Sequence, residues 1–153
     1  MDKFDEYKFF TERVQYRSQR RQQATQIYLT VNTAIFGVLA LLIKDSGLSG
    51  WSLAIATLPL FFVGVLICLT WLRIIREFSN LIGWQYEQLR EMEKQMRSSF
   101  KMHTKEWEEF YKGIKTKKGF SFSNLEAQMP VYFIGLYIIY SLGMIIAITQ
   151  DLL

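Results

Sequence analysis

The sequence predicts an all-α membrane protein in which three transmembrane helices are joined to a cytoplasmic collar of amphipathic helices. Three observations predict it. Three apolar blocks, Ile27 to Ile43, Trp51 to Leu72 and Val131 to Thr149, contain no charged residue, and each approaches the ~20 residues that carry a helix across the hydrocarbon layer. The basic residues lie almost wholly on one side of those blocks. Beyond the second block, apolar residues keep a helical spacing among charges for about seven further turns.

Half of the 153 residues are hydrophobic and 16% are aromatic, yet the mean hydropathy is only slightly positive. The apolar residues are therefore concentrated rather than spread. Residues 1–26 place Phe4, Tyr7, Phe9 or Phe10, and Val14 at helical spacing and then turn polar and basic, which predicts an amphipathic N-terminal helix. The first span is 27–43. It follows a leader too long and too acidic to be the n-region of a cleavable signal, and no small-x-small site comes after it. Residues 44–50 make a short external loop, and 51–72 form the second span, which Pro59 is expected to bend.

Residues 73–129 form the cytoplasmic region. Here Trp71, Ile75, Phe78, Ile82, Tyr86, Leu89, Met92 and Met96 follow one another at steps of three or four, one stripe of a helix continuous with the second span. Gly83 is a candidate bend. Glu93 precedes Arg97 at i, i+4, a favourable helix pair. A helix this long cannot cover its own stripe, so the eight residues are expected to pack either within one subunit or between subunits as an oligomer interface. From Thr104, Trp107, Phe110, Tyr111 and Ile114 mark a second short helix, with Glu106, Glu108 and Glu109 early and Lys112 and Lys115 late, as the helix dipole favours. After a loop around Gly119, Ser123 and Glu126 have the spacing of a capping box, and Pro130 either kinks a continuous helix or opens the last span, 130–149. Residues 150–153 are the external C-terminus.

Orientation follows from the charges. Six Lys and Arg precede the first span, eleven lie between Arg73 and Lys118, and Lys44 alone occupies the remaining connection. The positive-inside bias places the N-terminus and the middle segment in the cytoplasm and the C-terminus outside. This topology, with contact to anionic head groups of the bilayer, accounts for the net charge of +4. No nucleic-acid partner is needed.

Within the spans Asn32 is the only side-chain amide, flanked by Thr30 and Thr33. In lipid it calls for a hydrogen-bonding partner on another helix, and an intramembrane polar clamp, between helices or between subunits, is the expected role. Gly64 with Cys68, and Gly143 with Ala147, are small residues four apart that permit close helix contact. Trp51, Tyr132, Tyr137 and Tyr140 are candidates for interfacial anchoring.

Chemistry is sparse. The sole cysteine, Cys68, can form no intrachain disulfide, and the sole histidine, His103, has no metal-ligand spacing around it. No phosphate-binding loop, dinucleotide fingerprint or nucleophile elbow occurs, and no ionisable residue lies inside a span. No catalytic residue, cofactor or metal is expected.

The segment "WLRIIREFSNLIGWQYEQLREMEKQM", followed by "KEW" and "EAQMPVYFIGLY", resembles the RipA family of small bacterial membrane proteins. The matching positions are Trp71, Ile75, Phe78, Leu81, Tyr86, Leu89, Glu93, Glu106, Trp107, Glu126, Pro130 and Phe133. The chain departs from that pattern at Ile82 and Gln85, where the family tends to have Asn and Lys, and at Met96 and Arg97, where it has Leu and Pro. The resemblance implies an octameric homo-oligomer in the bacterial inner membrane and does not supply a biochemical activity. Two functions compete: a non-enzymatic scaffold or envelope-stress factor, and a regulated channel or membrane-disrupting effector similar to SLATT-type conflict modules. A third span argues against a simple two-span effector, and the scarcity of polar residues in the spans argues against a constitutive aqueous pore.

Overall fold

A computed structural model describes residues 3–45, 47, 48, 50–96, 101–111 and 122–150. Helix α1 runs Lys3–Asp45, α2 Gly50–Gln95, α3 Met102–Glu106 and α4 Phe122–Thr149, and a π-helical turn, Trp107–Tyr111, continues α3. No strand occurs among the described residues. Ile114, the loop around Gly119, Arg97 and residues 151–153 lie outside them.

Helix α1 is unbroken from its amphipathic start through the first apolar block. Gly47 and Gly50 lie in the left-handed region, at φ 64° and 55°, where a side chain would be strained and glycine is not. They turn the chain between α1 and α2. Helix α2 continues from the second apolar block through Gly83 to Gln95, and both Pro59 and Pro130 lie inside helices. Pro130 thus lies inside a continuous helix and is not its first residue. Helix α4 begins at Phe122, one residue before Ser123, so Ser123 stands in its first turn rather than ahead of it; the Ser123 side chain is outside the described residues.

The chain divides into two compact units. An apolar unit comprises Ala24–Ile75 and Glu126–Leu153, and a polar unit comprises Met1–Gln23 and Arg76–Leu125. The apolar unit holds parts of three helices long and apolar enough to cross a membrane. Its core gathers Leu39 of α1, Leu53, Phe61 and Cys68 of α2, and Tyr137, Met144 and Ile148 of α4. The outward faces carry large exposed apolar side chains, among them Ile27, Leu41, Ile55, Phe62, Ile139 and Leu142, which suit hydrocarbon rather than water. Thr30, Thr33, Thr57 and Thr70 each donate to the carbonyl one turn back, so these hydroxyls are satisfied by their own helix in a medium that offers no water.

In the polar unit Val14 of α1 packs with Ile82 and Leu89 of α2, with Tyr7 and Phe10 against them. Phe10 faces this core and Phe9 points outward, where the Arg13 guanidinium lies 5.3 Å from its ring centre.

Candidate functional site

In the apolar unit one buried polar side chain meets all three helices. Asn32 of α1 is fully buried. Its Oδ1 accepts from the Cys68 thiol of α2 at 3.1 Å and from the Tyr137 hydroxyl of α4 at 3.0 Å, and its Nδ2 donates to the Tyr28 carbonyl at 2.7 Å. Thus both ends of the amide are satisfied, as a non-aqueous surrounding demands. Tyr137 reaches Asn32 because Gly64 leaves room. A β-carbon built on Gly64 would fall on the Tyr137 ring, 2.6 Å from Cε1 and 2.7 Å from Cε2. The ring also stacks on Phe36, with centroids 4.6 Å apart. Tyr137 is therefore a buried hub, not an interfacial anchor, whereas Trp51, Tyr132 and Tyr140 are exposed.

In the polar unit a second hub forms around Glu93. Its carboxylate is 1% exposed and accepts from the Tyr7 hydroxyl at 2.8 Å, the His103 amide at 2.9 Å, the Thr104 amide at 2.8 Å and the Thr104 hydroxyl at 2.7 Å. The first amides of a helix have no intrahelical acceptor. Lys101, at the cap position of α3, makes no side-chain cap bond, and Glu93 supplies the acceptor from α2 instead. Burial disfavours the charged form of Glu93, but the hydrogen bonds from Thr104, His103 and Tyr7 outweigh it and hold the carboxyl below its ordinary range. Burial, and then the bond to Glu93, pushes the Tyr7 hydroxyl up to about 12. Both shifts describe one locked arrangement, a carboxylate that stays charged and a phenol that stays protonated.

The eight stripe residues divide. Trp71 stacks on Tyr28 at 5.8 Å and lies 6.2 Å from Phe133, and Trp71, Ile75, Ile82 and Leu89 are buried within the chain. Phe78, Met92 and Met96 are half-buried, and Tyr86 is 36% exposed. The inward face is turned slightly from the expected one, because Gln85, 3% exposed, and Glu93 stand on it where Tyr86 and Met92 were expected. Apolar spacing alone could not see this, since two inward positions are polar. The signal that could have found Glu93 is its place four residues after Leu89 on the buried side.

Helix α3 starts two residues before Thr104, and its π-helical continuation leaves Trp107 half-buried but Phe110 exposed, so those two rings do not share an inward face. Glu126 is half-buried near the start of α4, and Pro130 is fully buried. Gly143 faces open space. Among the described residues no group of three His, Cys, Asp or Glu could hold a metal.

No curated protein and no solved structure matches the chain. A family model does, over residues 4–148, nearly the full length. Together with the three membrane-competent helices, that match makes the protein an oligomeric integral membrane protein, and the chain belongs to the octameric membrane protein family (8xMP).

Proposed function

We propose that the chain is the subunit of a homo-octameric, non-enzymatic scaffold in the bacterial inner membrane, with its N-terminus and polar unit in the cytoplasm and its C-terminus outside. The seventeen-to-one division of basic residues supports the orientation, and the family supports self-assembly. Asn32 acts as a clamp within the subunit, and Glu93 locks the polar unit. Both hubs spend their polar groups on holding helices together and leave none poised for catalysis.

One observation carries the assignment of the contact face. Leu81 and Trp84, three apart on α2 and so on one side of it, are 40% and 52% exposed in the polar unit, among Glu77, Asn80, Glu87 and Gln88. An exposed apolar pair rimmed by polar residues is how an interaction surface reads, and a second copy is the partner that the family supplies. The octamer thus uses the flank of α2 that carries Leu81 and Trp84, while Trp71, Ile75, Ile82 and Leu89 of the stripe close inside each subunit.

The test is Leu81→Glu with Trp84→Glu, made in the full chain and sized by light scattering in mild detergent. The pair should give smaller species with unchanged helical circular dichroism, since neither side chain belongs to the buried core. A double variant that keeps the parental size removes this face from the assembly.

A further inference from the structure

The polar unit contains a cavity of about 260 Å³ that neither hub uses, lined in part by Arg21, Gly83, Arg90, His103, Glu106 and Trp107. Its charge is positive, with two guanidiniums against one carboxylate. The Arg90 guanidinium lies 4.2 Å from the Trp107 ring centre. A guanidinium held over an aromatic ring in this way is restrained in position and keeps its N–H donors. Among the described residues Arg90 makes no hydrogen bond and no ion pair, so its donors are uncommitted. The His103 ring, held edge-on to Tyr86 at 5.6 Å, has its Nδ1 3.7 Å from Glu106 Oε2, an ion pair only when the imidazole is protonated. The lone carboxylate of the cavity thus sits beside the imidazole.

A second cavity shares Arg90 and Trp107 with the first and is otherwise lined by Glu87, Glu91 and Glu108 with Lys94 and Thr104. There the carboxylates outnumber the cations, and Lys94 is already bound to Glu91 at 2.6 Å. An anion offered to both cavities would enter the first. Gly83 shapes that first cavity. A β-carbon built on it meets nothing within 4 Å, so the space above α2 at this point is the cavity itself.

We infer that this cavity binds a phosphate monoester. Two arginines lining one cavity suit a dianionic phosphate better than a monovalent anion, because guanidinium donors match phosphate oxygens in charge and geometry. The volume lies just below the ~300 Å³ lower end of drug-sized pockets and fits a head group or a small soluble ester. Both a phosphatidate lipid and a free phosphate ester present this chemistry.

Gly83→Leu places a side chain in the cavity, with a β-carbon that meets nothing within 4 Å, and replaces a poor helix former with a good one. Arg90→Gln removes the uncommitted guanidinium. The full-length parent and both variants are placed in neutral phosphatidylcholine nanodiscs, and the thermal unfolding midpoint is followed during titration with inorganic phosphate, against chloride at equal ionic strength. A parallel series uses nanodiscs containing phosphatidic acid. The parent is expected to be stabilised, and each variant to require about tenfold more phosphate or more for the same shift, because a charge-assisted contact is lost. A response to inorganic phosphate identifies a soluble ester as the source, and a response to phosphatidic acid alone identifies a lipid. No shift with either probe, or the same shift in parent and both variants, overturns the site.

Discussion

Gly64→Ala tests how tightly the three membrane helices are held. The new β-carbon would lie 2.6 Å from Tyr137 Cε1 and 2.7 Å from Cε2, inside any tolerable carbon contact. The ring cannot simply slide away, because it is buried, stacked on Phe36 and bonded through its hydroxyl to Asn32. Overpacking of this kind costs about 1–3 kcal/mol, and losing the Tyr137 to Asn32 bond adds about 0.6 kcal/mol in a membrane. Replacing a helical glycine returns at most about 1 kcal/mol. The net destabilisation is therefore about 0.6–3.6 kcal/mol, which raises the population of opened subunits about three- to more than a hundredfold. Cys68 reports that opening directly. It is the sole cysteine, fully buried, with its thiol donating to Asn32. Its modification by a small membrane-permeant thiol reagent at fixed pH should accelerate by the same factor in the alanine variant. In a Tyr137→Ala background the Gly64→Ala change should have little effect, because the obstructing ring is gone. An unaltered rate in the single variant would refute the close packing of α2 on α4.

Two further outcomes follow from the polar unit. Because the folded carboxyl of Glu93 lies below its ordinary value, its stabilising contribution is complete above the unfolded value of about 4.3 and is lost as pH falls through the folded one. The thermal midpoint of the parent should exceed that of Glu93→Gln at neutral pH, by an amount equivalent to about 2 kcal/mol, and the difference should close on acidification; a difference constant with pH contradicts the charged hub. Gln85 is buried and, among the described residues, its Oε1 has no hydrogen-bond partner, so Gln85→Met should stabilise the chain by about 1 kcal/mol in denaturant unfolding, whereas a loss of stability would show that the amide is needed.

The membrane architecture was legible because it depends on quantity: seventeen or more residues without a charge can do little but cross or core. The continuation of α2 was legible for a related reason, since Ile75, Ile82 and Leu89 keep the helical period through a charged stretch. The pairing of Tyr7, Phe10 and Val14 with that stripe was half legible, as spacing left Phe9 and Phe10 equivalent until the Ile82 and Leu89 surface selected one. What stayed hidden was polar and long-range. Glu93 reads locally as a solvated partner of Arg97, and only the return of the chain at His103 and Thr104 gives its carboxylate something to cap. Tyr137 reads as an anchor at a membrane edge, and its burial depends on Gly64, 73 positions earlier in the chain. The cavity beside Arg90 joins residues from Arg21 to Trp107, a separation no local pattern spans.

The central claim is that each subunit closes its own helices and then assembles with copies of itself. Native mass spectrometry of the full chain in mild detergent tests it most directly. The account predicts one dominant species of eight 18.1 kDa subunits. A folded monomer as the sole species, at every detergent concentration that preserves the helical spectrum, would contradict it.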